Sequence, residues 1–214
     1  MALVEGRFAK LIVGLLLTLT VVQAYPLVRG VTSAIALVFS VDVRRGTLVQ
    51  GTGFSVEPDG YLITSLHVVL PSYMNPQNPL LVLFNDAAYF SRIVCADDMM
   101  DIAVLRIDAR NLPHLKLTGL STVHEGDEVF ALSYPGRGKL MFSEGRIEKI
   151  YPGGEVKFIV TSAPLSYGSS GGPLLNSRGE VVGVASFILI RDRVRSMGVS
   201  ADNVKELLSR CGIK

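Results

Sequence analysis

The sequence has few of the residues that cross-link or metallate a small domain. Only two cysteines, Cys95 and Cys211, occur in 214 residues, and two are too few for a disulfide framework. We expect two partly buried thiols, with a Cys95–Cys211 bridge as the alternative. The three histidines, His67, His114 and His124, are widely spaced, and neither HExxH nor CxxC occurs. We therefore expect no zinc site and no metal or other cofactor.

An excess of charge of one sign is also missing. The formal net charge is +2, so bulk electrostatics give no reason to expect nucleic acid as a partner. Glycine and proline are scattered, and no stretch has the composition of a long disordered linker. A chain of 214 residues fits one large domain or two small ones, and either size can bury a sizeable core.

Residues 1–26 differ from everything after them. Arg7 and Lys10 precede an uncharged apolar run over 11–22, and small residues at 22–24 resemble a signal-peptidase site. We expect a cleaved signal peptide, and an uncleaved membrane anchor through residues 8–28 is the alternative. Either reading places residues 27–214 outside the cytoplasm, exported to the periplasm or secreted in the first case and membrane-anchored in the second.

From residue 31 onward, short apolar runs separated by turn residues predict an all-β fold built as a sandwich or barrel. The predicted strands are 34–43, 48–56, 61–64, 80–85, 88–96, 102–107, 128–132, 145–150, 157–161, 180–190 and 197–200. Residues 65–69 are predicted to form one helical turn, followed by a loop over 70–78 that contains two prolines. The chain ends in a helix with Ser200 or Asp202 as its cap and an apolar stripe at helical spacing.

A glycine-rich loop with two serines, residues 168–173, lies between two predicted strands. Acyl transfer needs a hydroxyl that can reach a substrate carbonyl, with backbone N–H groups directed at the oxygen that becomes negative. Glycine allows the tight backbone conformations that direct those groups. A polar surface turn is the simpler alternative. We assign Ser170 as the nucleophile, with Ser169 as a rival by adjacency only.

A serine nucleophile needs a base and an orienting acid. His67 lies where a strand ends in a short turn, and Asp101 opens an apolar strand, so the chain order is His, Asp, Ser. The α/β-hydrolase order would require a histidine after Ser170, and the sequence has none. We take Asp97 and Asp98 as solvated charges of the same turn, and we place His114 and His124 on the surface.

Five motifs give the chain a family resemblance. Gly-Thr-Gly-Phe at 51–54 and the segments 58–64, 67–69, 101–105 and 168–175 resemble the HtrA/Deg branch of the trypsin-like serine proteases, over about residues 31–210. The resemblance implies two six-stranded antiparallel β-barrels, the first over about 31–110 and the second over about 120–200. It places the active site in the cleft between them and a short helix at the C-terminus.

The same resemblance implies a serine endopeptidase acting on polypeptides, with protein quality control as the implied role. His67, Asp101 and Ser170 would be the triad, and the loop Gly168, Ser169 and Ser170 would form the oxyanion hole. Homo-oligomers occur in the family, and the sequence leaves open whether this chain also forms one. The alternative is a catalytically silent, protease-like module that binds protein.

Substrate selection would depend on the S1 pocket. Residues 162–167 hold no carboxylate, so nothing there would pair with a lysine or arginine of the substrate. The family resemblance implies a lining of Leu165, Ser186, Phe187, Ile188 and Gly198, with Ser186 donating a hydrogen bond to Asp101. We expect cleavage after small or medium aliphatic residues.

Three departures from the family pattern are visible. Ser169 stands where the branch usually has asparagine, and Ser133 stands where a glycine is common. We also expect no PDZ domain after the protease, so recognition of peptide tails is not carried over from the family.

Overall fold

The computed structural model describes residues 30–136, 138–190 and 193–213, and the side chains of 187–190 and 193–195 fall outside that description. The N-terminal signal or anchor predicted from the sequence therefore lies outside the described residues. Within the ranges that are described, none of the helices has both the length and the apolar character needed to cross a bilayer.

Six antiparallel strands of the first half close into a barrel with the order β1-β2-β3-β6-β5-β4. Alternate side chains of a strand point to opposite faces, so one set fills the interior, including the fully buried Leu62, Val82 and Leu105. The six strands are β1 Ile35–Asp42, β2 Thr47–Glu57, β3 Tyr61–Ser65, β4 Leu80–Phe84, β5 Ala87–Asp97 and β6 Ile102–Ile107.

The second half repeats this architecture as a barrel with the order β10-β11-β12-β9-β8-β7. Its interior is lined by fully buried apolar side chains such as Ile147, Ile159 and Leu174. The strands are β7 Glu128–Ser133, β8 Met141–Tyr151, β9 Phe158–Thr161, β10 Pro173–Leu175, β11 Val181–Ile190 and β12 Arg193–Ser200. The predicted fold class, two six-stranded antiparallel barrels with a short C-terminal helix, is confirmed.

Two α-helices lie wholly within the described part of the chain and flank the barrels, with a short 3-10 helix at Leu120–Thr122. The first, α1, runs over Leu66–Met74. The predicted loop from residue 70 is therefore wrong in its first half, because α1 continues through Pro71. The second, α2, runs over Ala201–Arg210, and the Ser200 hydroxyl caps it by accepting the Asp202 N–H at 3.1 Å.

A third apolar cluster lies between the barrels and against α2. It joins first-barrel residues such as Phe54 and Ile63 to second-barrel residues such as Val184 and to Leu207 of α2. A ten-residue helix is marginal in water on its own, so its buried stripe against the barrels holds α2 in place.

Cys95 of β5 and Cys211, at the end of α2, form a disulfide bridge with their Cα atoms 6.3 Å apart. The expectation of two separate thiols was therefore wrong. Residues 116 positions apart came together because β5 faces the end of α2 in the folded chain, a proximity that spacing does not reveal. The bridge links the first barrel to the C-terminal helix.

Candidate active site

The three residues predicted to form a triad lie at the ends of elements where the barrels meet. His67 is in the first turn of α1, Asp101 directly precedes β6, and Ser170 lies in the loop before β10. The first barrel therefore carries the histidine and the aspartate, and the second carries the serine.

His67 is held by both oxygens of one carboxylate. Its backbone N–H donates to Asp101 Oδ1 at 2.9 Å, and its ring Nδ1 lies 2.6 Å from Asp101 Oδ2. A carboxylate can only accept, so Nδ1 carries the proton and Nε2 is left as the acceptor of the neutral ring. The imidazole is thus fixed in the tautomer that can take a proton from a hydroxyl.

The backbone of Asp101 has an uncommon conformation that makes this double contact possible. Its φ is 53°, in the left-handed region that aspartate tolerates better than most residues. Its carbonyl oxygen also accepts the N–H of Leu66 at 2.9 Å. The turn before β6 therefore presents a carbonyl and a carboxylate together to the first turn of α1.

The segment between β9 and β10, residues 162–172, is called the serine loop. Hydrogen bonds to the carbonyl oxygens of two of its peptide groups fix the orientation of those groups. The carbonyl oxygen of Tyr167 accepts the N–H of Gly136 at 3.1 Å, and that of Ser169 accepts the N–H of Gly172 at 3.0 Å. In a trans peptide the N–H points opposite to the carbonyl, so the N–H groups of Gly168 and Ser170 point away from these bonds. Within the described residues, neither of those two N–H groups donates to a backbone carbonyl.

Glycine is required at two positions of this loop. Gly168 has a φ of 93°, and a Cβ there would run into the Tyr134 carbonyl oxygen. Gly171 has a φ of 84°, and a Cβ there would overlap the Thr52 carbonyl oxygen and the Thr64 hydroxyl. Gly171 therefore lets the loop approach the first barrel closely, and Gly168 lets it approach the segment that follows β7.

Thr52 of β2 connects the serine loop to the first barrel. Its N–H donates to the Ser170 carbonyl oxygen at 2.9 Å, and its hydroxyl donates to that of Gly168 at 2.7 Å. The same hydroxyl accepts the N–H of Tyr134 at 2.9 Å. Sequence reasoning did not single out Thr52, although Thr52 lies in the Gly-Thr-Gly-Phe motif that carries part of the family resemblance.

The serine and the histidine are brought to the same cleft. Gly51 of β2 lies close to both segments: a Cβ there would overlap the side chain of Val68, next to His67, and would lie 3.1 Å from the Ser170 carbonyl oxygen. No hydrogen bond joins the Ser170 hydroxyl to His67 among the contacts of the described residues. Such bonds are often long without substrate and tighten when it binds.

The residues predicted to line an S1 pocket have mixed placements. Leu165 is half-buried against the interior of the second barrel, and Ser186 is half-buried on β11. Gly198 pairs with Ala185 and is buried, and a Cβ there would overlap the side chain of Leu174.

The other predicted S1 contacts are less defined. The side chains of Phe187 and Ile188 lie outside the described part. The predicted hydrogen bond from Ser186 to Asp101 does not occur among the described residues, where both Asp101 oxygens accept from His67.

The rival acids lie in the same turn but face elsewhere. Asp97 is not a solvated charge: it pairs with Arg210 of α2 and accepts the N–H of Met100 at 3.0 Å. The hydrogen bond from Arg210 lowers the pKa of the Asp97 carboxyl below its usual value. Asp98 is exposed.

The other two histidines, His114 and His124, are exposed. His114 Nδ1 lies 3.1 Å from the Leu112 carbonyl oxygen, and His124 Nδ1 lies 3.6 Å from the Asp127 carboxylate. Among the residues that the structure describes, no three or more histidine, cysteine or acidic side chains are gathered in a way that could hold a metal ion.

The chain is similar in sequence and structure to known trypsin-like proteases. The profile of the trypsin-like peptidase domain matches residues 51–184, a range that includes His67, Asp101 and Ser170. A solved structure, the active form of the Rv3671c protease from M. tuberculosis, superposes with a TM-score of 0.76 at 26% identity, covering 88% of this chain and 85% of that one.

Two curated relatives are similar in sequence. The probable periplasmic serine endoprotease DegP-like of Pseudomonas savastanoi pv. phaseolicola is 34% identical over 155 residues, 70% of this chain and 31% of that protein. The serine endoprotease DegS of Haemophilus influenzae is 32% identical over 165 residues, 74% of this chain and 45% of that protein. The chain thus spans less than half the length of these relatives.

Proposed function

Because this chain belongs to the trypsin-like peptidases, in the branch of the DegP-like and DegS proteases, we propose that it is a serine endopeptidase. The proposal depends on the two hydrogen bonds that Asp101 accepts from His67, one from the backbone N–H at 2.9 Å and one from the ring Nδ1 at 2.6 Å. A histidine fixed through its backbone and its ring by one carboxylate is prepared to act as a general base.

Ser170, His67 and Asp101 divide the chemistry. The Ser170 oxygen attacks the scissile carbonyl carbon while its proton passes to His67 Nε2. His67 then returns that proton to the leaving amine as the C–N bond breaks, which leaves an acyl-enzyme. A water molecule repeats the sequence and releases the acid. Asp101 remains ionised and stabilises the imidazolium that forms in each half.

The N–H groups of Gly168 and Ser170 receive the negative oxygen of each tetrahedral intermediate. Both are directed away from the carbonyls that bind Gly136 and Gly172, which leaves them available to an anion. Loss of one such donor typically costs about 100-fold to 1000-fold in kcat. Ser169, the residue between them, has its own N–H committed to the Ser166 carbonyl oxygen at 2.8 Å.

Polypeptides are the proposed substrates, cleaved after small or medium aliphatic residues. Segment 162–167 offers no carboxylate to a basic side chain, and an unpaired charge would lose its hydration there. An apolar pocket separates neighbouring aliphatic residues by only about 1–3 kcal/mol, so the preference is broad. A peptide-library digest read by mass spectrometry tests it, and dominant cutting after lysine or arginine would contradict it.

Export and quality control complete the proposal. The apolar run over 11–22 and the periplasmic relative both favour action outside the cytoplasm. The resemblance to the HtrA/Deg branch adds damaged or unfolded proteins as the proposed substrates. Intact-mass measurement of the exported chain would give a start at Tyr25 for a cleaved signal. Full-length chain found only in membranes would favour an anchor, and the same preparation would give the oligomeric state.

A fluorophosphonate probe tests the central claim. We expect the wild type to be labelled and Ser170→Ala not to be. Ser170→Ala, His67→Ala and the double variant should all lose a similar, large factor in kcat, on the order of 10⁴ or more, because the residues act as a unit. A folded wild type that takes no label would be a silent binding module instead.

A further inference from the structure

Two buried serines lie beneath the proposed oxyanion hole. The hydroxyl of Ser133, the last residue of β7, is 3.0 Å from that of Ser169 in the serine loop. Ser133 is 5% exposed and Ser169 is 1% exposed, so water does not compete for this contact. We call the contact the serine bridge.

The serine bridge connects the serine loop to strand β7. The Ser169 hydroxyl also accepts the N–H of Ser166 at 3.2 Å, while the Ser169 N–H donates to the Ser166 carbonyl oxygen at 2.8 Å. Ser166 and Ser169 thus close a small ring within the loop, and Ser133 fastens that ring to β7. The loop is otherwise rich in glycine, which provides little rigidity of its own.

We propose that the serine bridge positions the oxyanion hole, with Ser133 and Ser169 as positioning residues; the inference rests on the proposed peptidase function. Ser169 lies between Gly168 and Ser170, whose N–H groups form the hole. A shift of the Ser169 side chain therefore moves both donors at once. Oxyanion donors act only when held close to the position of the developing charge, so a loosened loop lowers kcat.

The serine bridge also brings two of the departures from the family pattern into contact. An asparagine at 169 would carry a carboxamide into the space that the Ser133 hydroxymethyl now occupies, because both sites are buried. A glycine at 133 would vacate that space. The two side chains are in contact, so we expect a change at one site to alter the effect of a change at the other.

Steady-state kinetics on a peptide substrate test the serine bridge. We expect Ser133→Ala and Ser169→Ala each to lower kcat about fivefold to tenfold, the equivalent of one buried hydrogen bond, with KM little changed. The double variant should lose no more than the worse single one. Ser133→Gly and Ser169→Asn should each lower kcat, and the two together should restore most of it.

The first barrel supplies a matched control. Ser40 of β1 and Ser72 of α1 form a second buried hydroxyl pair at 2.8 Å, and the Ser72 N–H donates to Ser40 at 3.2 Å. Ser40→Ala and Ser72→Ala remove a comparable bond away from the serine loop. We expect both to lower Tm with kcat unchanged, whereas the serine-bridge variants lower kcat in enzyme that melts well above the assay temperature.

The outcomes separate the two claims. If the wild type takes the fluorophosphonate label but Ser133→Ala and Ser169→Ala change Tm alone, as the control pair does, the serine bridge is merely structural and the inference fails. It also fails if the Ser133→Gly, Ser169→Asn double variant folds but is slower than either single variant. If the wild type is never labelled, the peptidase proposal fails, and this inference fails with it.

Discussion

Two aspartates only four residues apart, Asp97 and Asp101, bind partners on different elements of the fold. Asp97 ends β5 and faces α2, where Arg210 and the N–H of Met100 occupy its carboxylate. Asp101 adopts a left-handed backbone conformation before β6 and faces His67. One carboxylate binds the C-terminal helix to the first barrel, and the other binds His67, the proposed base. The difference shows that the role of an acid depends on which element faces it and not on its place in an acidic run.

Replacing Asp101 by asparagine should give the largest effect. The amide NH₂ would donate to His67 Nδ1 and move the ring proton to Nε2, which could then no longer accept a proton from Ser170. We expect kcat to fall about 10⁴-fold with Tm nearly unchanged. The residual kcat of Ser170→Ala gives the background rate of the assay. Activity within tenfold of the wild type in Asp101→Asn would remove Asp101 from the triad.

Removing the disulfide beside Asp97 should give the next largest effect, on stability alone. The Cys95–Cys211 bridge joins residues 116 positions apart and constrains the unfolded chain strongly. The Cys95→Ser, Cys211→Ser double variant should lose about 2–5 kcal/mol in its free energy of unfolding. Urea titration measures it, with kcat assayed well below Tm as the control. A matching drop in kcat would mean that α2 supports the site as well as the fold.

Asp97→Asn should have a smaller effect that depends on pH. The Asp97 pKa is lowered below 3.8 mainly by the Arg210 hydrogen bond, so its contribution is complete above that value and is lost as pH falls through the lowered pKa. We expect a loss of about 1 kcal/mol at pH 7, since the Arg210 end is exposed. Urea unfolding at pH 7 and pH 3 should show the difference shrinking. A constant difference would assign the effect to packing.

Asp98→Ala should have the smallest effect. Asp98 is exposed in the middle of the same turn. We expect changes within about 0.5 kcal/mol in stability, the usual range for such surface positions, with kcat unaffected. The variant is a charge-matched control for the two neighbouring aspartates. A large loss of activity here would indicate that net charge at the turn, and not a specific contact, supports His67.

Local patterns predicted most of the fold. The strand predicted at 102–107 coincides with β6, and the strands predicted at 80–85 and 88–96 form a hairpin that turns at Asn85 and Asp86, whose φ values are 49° and 61°. Such signals depend on alternation and turn chemistry within a few residues. The chain order of the motifs, through the family resemblance, then supplied the two-barrel architecture.

Features that depend on distant neighbours were missed. Pro71 suggested the end of a helix, yet α1 runs on to Met74, because Ser72 is anchored by Ser40 of β1 and by the Pro79 carbonyl oxygen. Strand β8 starts four residues earlier than predicted, since pairing of Met141 with Ser133 of β7 extends it. Contacts with residues distant in the sequence therefore set the end of α1 and the start of β8.

The residues of the candidate site could be predicted from the sequence, but the contacts and backbone conformations that hold them in place could not. The positions of His67, Asp101 and Ser170 follow from motif order. The left-handed φ of Asp101 and the contact between Ser133 and Ser169 do not, because they arise from long-range packing. The sequence did mark Ser133 and Ser169 separately as departures, and only their proximity in the fold relates the two.

Thr52 has a further consequence for when the enzyme becomes competent. Its single hydroxyl joins the Tyr134 N–H and the Gly168 carbonyl oxygen, both of the other barrel, so neither bond exists until the barrels dock. A newly made or heat-damaged molecule with separated barrels has an unfastened serine loop. Under the proposed function, the competence of Ser170 for hydrolysis therefore depends on the docking of the two barrels, and a molecule with separated barrels lacks the Thr52 contacts that hold the serine loop.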